Sequence, residues 1–294
     1  MVALVEAVIR GLGLGSIYAL LALGFVIIFK ATRVISFAQP AFMLAGAVMV
    51  TYLVGPLGFF GALIAATVLT GLLALGVERA AVRPMVGRPA FVVAIITLGV
   101  DVIVRTVTNG YIGLNVRQVG DPWGLSTLKV GGISIQERHL AVFIATGLLV
   151  GVLFAFFRFT RIGLAMRAAS EDQEAALAQG VSVGSVFALS WAMAGGLAAV
   201  AGAFAAAGES VDSLLWRIAL TALPVIILGG LDSLPGAVIG GLAVGVLQEL
   251  AANYQSHAPW LGGNVSIITP YVVMLLVLLV RPYGLFGTRE VERV

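Results

Sequence analysis

HLAVFIATGLLVGVLFAFF (residues 139–157), RFTRIGLAMRAASEDQEAALAQGVSV (158–183) and GSVFALSWAMAGGLAAVAGAFAAA (184–207) follow one another without a gap. The outer two are apolar runs of about 20 residues, the length a helix needs to cross hydrocarbon ~30 Å thick. The middle stretch is densely polar. Arg158, Arg161 and Arg167 come first, then Ser170-Glu171-Asp172-Gln173. Ser170, with Gln173 three positions on, reads as a capping box. It predicts a short helix over about 171–179, with Glu171 and Asp172 in the first turn, where the helix dipole favours negative charge. Gly180 stands where a left-handed C-terminal cap is wanted. A helix this short is marginal alone in water, so it is expected to dock on a partner. Spacing alone fits a solvated connector between two membrane helices equally well.

Working outward, apolar runs of similar length recur along the 294 residues. The chain is 60% hydrophobic and 11% charged, against about 25% charged in a soluble domain, and its mean hydropathy is +1.09. This predicts an all-α, polytopic transmembrane helical bundle of eight or nine spans with broken helices, a single transmembrane domain over residues 1–294. A barrel would need strands of alternating polarity, and these runs do not alternate. Cysteine is absent, which removes disulfides and thiol chemistry. The net charge of +3 comes from arginines at helix ends and calls for membrane lipid, not nucleic acid.

Residues 4–29 read as the first span. A cleaved leader is set aside because no small-residue cleavage site precedes Lys30. The segment KATRVISFAQP (30–40) then breaks the hydrophobicity, with Ser36, Phe37 and Gln39 ahead of Pro40. Spans are expected over 40–55, 58–78 and 91–110. In the last of these Asp101 and Arg105 are four apart and can pair. That pair reads first as a structural ion pair, with a polar lining of a solute path as the second reading. Residues 111–138 form the longest loop outside the membrane. In it, STLKV and ISIQE around Gly131-Gly132 predict a hairpin near 125–137. Further spans fall at 139–157, 184–207, 215–229, 236–253 and 265–280. Gly11/Gly15 and Gly236/Gly240/Gly241/Gly245 are small-residue stripes suited to close helix packing. His139 and His257 lack any neighbouring ligand pattern, so no metal site is expected.

Two groups of residues carry a resemblance to a known family. Glu174-Ala175-Ala176 followed by Gly180 resembles the EAA…G loop of ABC-importer permeases. The longer string RIGLAMRAASEDQEAALAQGV, together with ILGGLDSLPGAVIGGLAVG and the C-terminal LLVRPYGLFG, is similar to the branched-chain amino-acid permease family of ABC importers. The resemblance runs over nearly the whole chain and is firmest after residue 158. It implies a non-catalytic membrane subunit in the bacterial cytoplasmic (inner) membrane. Its partners would be a homologous permease (commonly a heterodimer), two ATPase subunits that bind ATP and Mg, and an extracytoplasmic solute-binding protein. The loop at 158–183 would couple to the ATPase through Arg167, Ser170, Glu171, Asp172, Glu174, Ala175, Ala176 and Gly180. The family segment that usually reads Asn-Phe-Ala-His-Gly-Glu is Ser36-Phe37-Ala38-Gln39-Pro40-Ala41 here, so its His, Gly and Glu are replaced.

Orientation and energy source follow from the charges. Residues 30–39, 79–90, 158–183 and 281–294 hold eleven of the 17 Lys and Arg, whereas Arg117, Lys129 and Arg138 fall on the opposite side of a nine-span chain. The positive-inside rule then puts residues 158–183 in the cytoplasm and the N-terminus outside; an eight-span chain with a re-entrant segment would reverse the N-terminus. A P-loop needs Gly-Lys-Ser/Thr, but Lys30 follows Phe29 and Lys129 follows Leu128, so nucleotide must bind elsewhere. The competing reading is a stand-alone secondary transporter or channel built from broken helices. In either case the polar helix breaks place Ser36, Phe37, Gln39, Asp232 and Ser233 near the solute path. The expected solute is a branched-chain or other small apolar amino acid, with amides, urea or small carboxylates as alternatives.

Overall fold

In lipid a backbone must satisfy its own polar groups, and long apolar runs do so here as helices. The structure is a computed structural model describing residues 2–85, 87–112, 117–124, 126–208, 210–255 and 264–287. Its helices are α1 (Val2–Thr32), α2 (Gln39–Val77), α3 (Ala90–Ile112), α4 (Glu137–Phe159), α5 (Arg161–Glu171), α6 (Gln173–Ala178), α7 (Val183–Ala206), α8 (Arg217–Gly229), α9 (Leu234–Gln255) and α10 (Val265–Val280). Among the described residues six helices are long and apolar enough to cross a membrane, with α2 and its short helical extension taken as one; α8 and α10 are shorter apolar helices. The chain is a multi-pass membrane protein. It divides into two compact units, residues Met1–Val26, Trp123–Thr146 and Leu220–Val294 in one, Ile27–Pro122 and Gly147–Ala219 in the other.

The larger unit is built on α2 and α7. Spans read separately at 40–55 and 58–78 are one 39-residue element, interrupted at Gly58 (φ 66°, ψ 173°) two residues after Pro56. That backbone region is essentially open to glycine alone. The packing shows what the interruption does. A side chain at Gly202 would strike Met43, one at Gly46 would come 2.5 Å from the Ala199 side chain, and one at Gly195 would come 2.6 Å from the Ala74 side chain. Residues 43 and 74 would be ~46 Å apart on a straight helix, whereas their partners on α7 are ~10 Å apart. The chain therefore doubles back at Gly58, and both arms press on the same stretch of α7. Phe59 against Phe204, edge to face at 6.1 Å, marks the turn. Association of helices in lipid has no hydrophobic drive and rests on close packing, which is why glycine and alanine line this contact.

In the smaller unit α1 crosses α9 through the glycine stripes noted in the sequence. A methyl added at Gly15 would lie 2.7 Å from Leu242 Cα, and one at Gly241 would lie 2.6 Å from the Ala19 amide nitrogen. The two segments LLVRPYGLFG and ILGGLDSLPG meet here as well. The Leu285 and Phe286 amides donate to the Leu228 and Gly229 carbonyls at 2.8 and 3.1 Å, so the C-terminal segment satisfies carbonyls that the end of α8 leaves open. Gly284 makes this approach with φ 78°.

The predicted hairpin is present: β2 (Thr127–Val130) pairs antiparallel with β3 (Ile133–Gln136). Gly131 and Gly132 have φ of 58° and 85°, as a type I′ turn requires. A second, two-residue pairing was not foreseen. β1 (Arg117–Gln118) pairs with β4 (Ser210–Val211), in the loops after α3 and α7. Segments this short carry no readable alternation.

Candidate functional site

Two places in the larger unit gather polar groups: the α5–α6 pair and the helix break at residues 33–39. At the first, the helix predicted over 171–179 is the shorter α6 (Gln173–Ala178), and an unpredicted helix, α5 (Arg161–Glu171), precedes it. Thr160 opens α5, its side chain accepting from the Gly163 amide at 2.9 Å. The capping box at Ser170 does not form. Ser170 lies inside α5, buried, and its hydroxyl donates to the Arg167 carbonyl at 2.7 Å. Asp172 caps α6 in its place, accepting from the Glu174 and Ala175 amides at 2.9 and 3.0 Å. The reason is conformational. A cap residue needs extended backbone, and Asp172 has it at φ −148°, ψ 109°, whereas Ser170 is helical. Gln173 does not reach back to a helix start either; its Nε2 donates to the Ala31 carbonyl at 3.0 Å.

The C-terminal end matches the sequence reading. Gly180 has φ 81°, and the Gly180 and Val181 amides donate to Leu177 and Ala176 at 2.9 and 3.0 Å, the paired bonds of a Schellman motif. Arg167, Glu171, Asp172, Glu174, Ala175 and Leu177 are exposed on this pair. Ala176, expected on the outer face, is buried instead. The Arg33 Nη2 holds the pair from the other side by donating to the Ser170 carbonyl at 2.7 Å. Arg33 does this with φ 56°, the one non-glycine among the described residues on that side of the map. Asp172→Ala should speed hydrogen exchange at the Glu174 and Ala175 amides about 5-fold, the factor a cap of about 1 kcal/mol implies. Ser170→Ala should leave both amides unchanged.

At the second place the start of α2 lies inside the span. The Phe37 amide donates to Thr97 Oγ1 at 2.9 Å, and Thr97 is seven residues, ~10 Å, into α3. Ser36 and Gln39 are buried. The Ser36 hydroxyl accepts from the Ala38 amide at 3.3 Å, and Gln39 Nε2 donates to the Ala194 carbonyl of α7 at 3.0 Å. Gln39 Oε1 has no partner. One turn along α3 from Thr97, Asp101 Oδ2 accepts from Arg105 Nε at 2.8 Å. The Arg105 guanidinium lies over the Trp216 ring, 4.1 Å from its centroid. The Ala41 backbone amide faces the Asp101 carboxylate, and among the described residues Asp101 Oδ1 has no hydrogen-bond partner.

Asp232 and Ser233 belong to the other unit. Ser233 is the N-cap of α9: its hydroxyl accepts from the Gly236 amide at 3.0 Å, and its carbonyl from the Ala237 amide at 2.9 Å. Asp232 beside it is half-buried. The five path candidates thus form two sets, Ser36, Phe37 and Gln39 in one unit, Asp232 and Ser233 in the other. Sequence reasoning missed Arg33, Thr97 and Trp216. Only the positive φ of Arg33 is a local feature, and nothing in its neighbours announces it.

Residues 7–280 match the model of the family described as branched-chain amino acid transport system, permease component. The chain belongs to that family. The permease is 29% identical to the high-affinity branched-chain amino acid transport system permease protein LivH of Salmonella typhimurium, over 98% of this chain and 97% of that protein. It is 26% identical to the corresponding protein BraD of Pseudomonas aeruginosa, again over 98% and 97%. Among solved structures, an ABC transporter described as metal-chelate type, in an inward-facing conformation, superposes with a TM-score of 0.51. It shares 18% identity over 93% of this chain and 86% of that one, a likeness of fold. The chain is thus a permease component by family, and its α5–α6 pair carries the Glu174-Ala175-Ala176 and Gly180 string that resembles the EAA…G loop.

Proposed function

We propose that this permease forms half of the translocation path of an importer for branched-chain or other small apolar amino acids. The family match over residues 7–280 carries this reading. A homologous permease supplies the other half, making a heterodimer in the bacterial cytoplasmic membrane. Two ATPase subunits hold ATP and Mg on the cytoplasmic side, and an extracytoplasmic solute-binding protein delivers the solute. The exposed face of α5–α6 docks on an ATPase subunit. Phe37 and Gln39 stand beside the path, while Ser36, Asp232 and Ser233 shape the two helix starts that border it.

One observation favours a shifted solute range. Gln39-Pro40-Ala41 stands where the family usually has His-Gly-Glu, which removes a charged and a titratable group from the helix break. Amides, urea or small carboxylates are the solutes to compare. Native mass spectrometry of the complex purified through this chain should find two permeases and two ATPases. Cells expressing it should accumulate labelled leucine, isoleucine or valine in an ATP-dependent way. A lone chain with full transport activity overturns the assembly. Uptake of urea or amides with none of the amino acids overturns the solute.

A further inference from the structure

The Asp101–Arg105 pair is badly placed for a purely structural ion pair. Asp101 is twelfth of the 23 residues of α3, so the charges sit at mid-span, where ionisable groups are expensive and mark solute paths. A structural pair repays its desolvation only when the remaining lone pairs are also satisfied. Here they are not, because Asp101 is 5% exposed and its Oδ1 has no partner. Arg105 commits Nε and Nη2 to the single oxygen Oδ2. The flat Trp216 ring covers one face of the guanidinium, and the planar fork of an arginine matches a carboxylate.

Beside the pair is an apolar groove of about 620 Å³ between the arms of α2 and the outer half of α3. Met49, Tyr52 and Leu53 line it from α2, and Val104, Val107 and Thr108 from α3. Val104 and Thr108 follow Asp101 and Arg105 by three residues, which puts them side by side on the helix surface. Asp101 and Arg105 adjoin this wall through Val104 and Thr108 and are not themselves part of it; a mostly apolar wall beside a few polar groups is the make-up of many ligand sites. Transporter sites also sit near the bilayer midplane beside broken helices, as the start of α2 is here.

We propose that Asp101, Arg105 and the adjoining groove form a solute site for a small zwitterion with an aliphatic side chain. Its ammonium donates to Asp101 Oδ1, its carboxylate accepts from Arg105, and its side chain lies along Val104 and Val107. The site deepens the proposed function and rests on it. It differs from the path residues read from the sequence, because charge here matches both ends of the solute.

The decisive variant exchanges the charges, Asp101→Arg with Arg105→Asp. It keeps an ion pair on the helix, so a merely structural role predicts restored uptake. The site predicts normal abundance in the membrane with leucine uptake at one-tenth of wild type or less. Asp101→Asn, nearly isosteric, should lower leucine uptake at least 10-fold at wild-type abundance in the membrane. A wild-type measurement guards against variants that fail to fold. Labelled leucine should bind the purified permease–ATPase complex, free of the solute-binding protein, saturably, and neither leucinamide nor 4-methylpentanoate, each lacking one charge, should displace it. Wild-type uptake in the exchanged variant, equal displacement by either analogue, or no saturable binding overturns the site alone. Cells that take up none of the apolar amino acids overturn the proposed function and the site with it.

Discussion

Gly245→Val should abolish the accumulation of folded permease, with at least a 10-fold loss of monodisperse protein extracted from membranes. A side chain at Gly245 would meet the Gly15 backbone, and one at Gly15 would meet Leu242. These are contacts between main chains, with no side-chain end to swing aside. Overpacking a well-packed core costs about 1–3 kcal/mol when side chains can adjust, and a helix pair that must separate along its length lies at or above the top of that range. The contact is also hard to replace, because α1 and α9 are held in lipid by fit and not by exclusion of water. Gly151→Val is the control. It makes the same change in a long apolar helix, but an added side-chain carbon at Gly151 meets nothing within 4 Å, so extraction yield should stay at the wild-type level. Equal yields for the two variants would refute the tight α1–α9 crossing.

The features that sequence reading captured were those with a local physical cause. Long apolar runs became helices because lipid allows little else. Gly131-Gly132 became a type I′ turn because both residues must take φ > 0. Gly180 became a C-cap for the same reason, and Gly11, Gly15, Gly241 and Gly245 were readable as contact stripes. What the stripes could not tell was their partner, since pairing Gly15 with Gly245 is a matter of topology. Likewise the break at Pro56–Gly58 was visible as the end of one run and the start of another. That both arms share one partner helix emerges only from the packing on α7.

The helix pair at 161–178 was legible in outline, and its cap was assigned to the wrong residue. Ser170 and Asp172 are two good capping residues two positions apart, and local pattern cannot choose between them. The choice was made by α5, which the sequence reading had not separated from the loop. Its Thr160 cap lacks the Glu or Gln three residues on that would have announced it, and once α5 extends to Glu171 the Ser170 hydroxyl turns back on its own helix. Asp101 and Arg105 were readable as a pair from their spacing. The Trp216 ring that orients Arg105 is 111 positions away, and the unpartnered Asp101 Oδ1 is visible only in three dimensions.

Gly180→Val and Glu174→Arg should both uncouple transport while leaving the permease inserted. Gly180 holds φ 81°, which a β-branched residue adopts only at a cost of ~1–2 kcal/mol or more. That strain falls on a six-residue helix with almost no stability of its own. The end of α6 should therefore unwind back towards Ala176, taking Leu177, 57% exposed, out of its docking position. Glu174→Arg acts differently: the side chain is exposed in the first turn of α6, so the fold survives and only the charge offered to a partner is reversed. Both variants leave intact the ties that hold the helix pair to the rest of the chain, Gln173 on the Ala31 carbonyl and Arg33 on the Ser170 carbonyl. Those ties are what let a push on α6 reach the end of α1 and, through residues 33–38, the start of α2. Uptake and solute-stimulated ATPase activity should fall together, each at least 10-fold, with membrane abundance unchanged. Loss of uptake with ATPase stimulation retained would mean the defect lies in the path and not in the coupling. If either variant keeps wild-type ATPase binding and transport, the coupling surface lies elsewhere. Residues 79–90 are then the next candidate, because Arg83 in that segment binds the buried Glu78 carboxylate at 3.1 Å and the Gly184 carbonyl at 2.8 Å, which gives it a second mechanical route into α7.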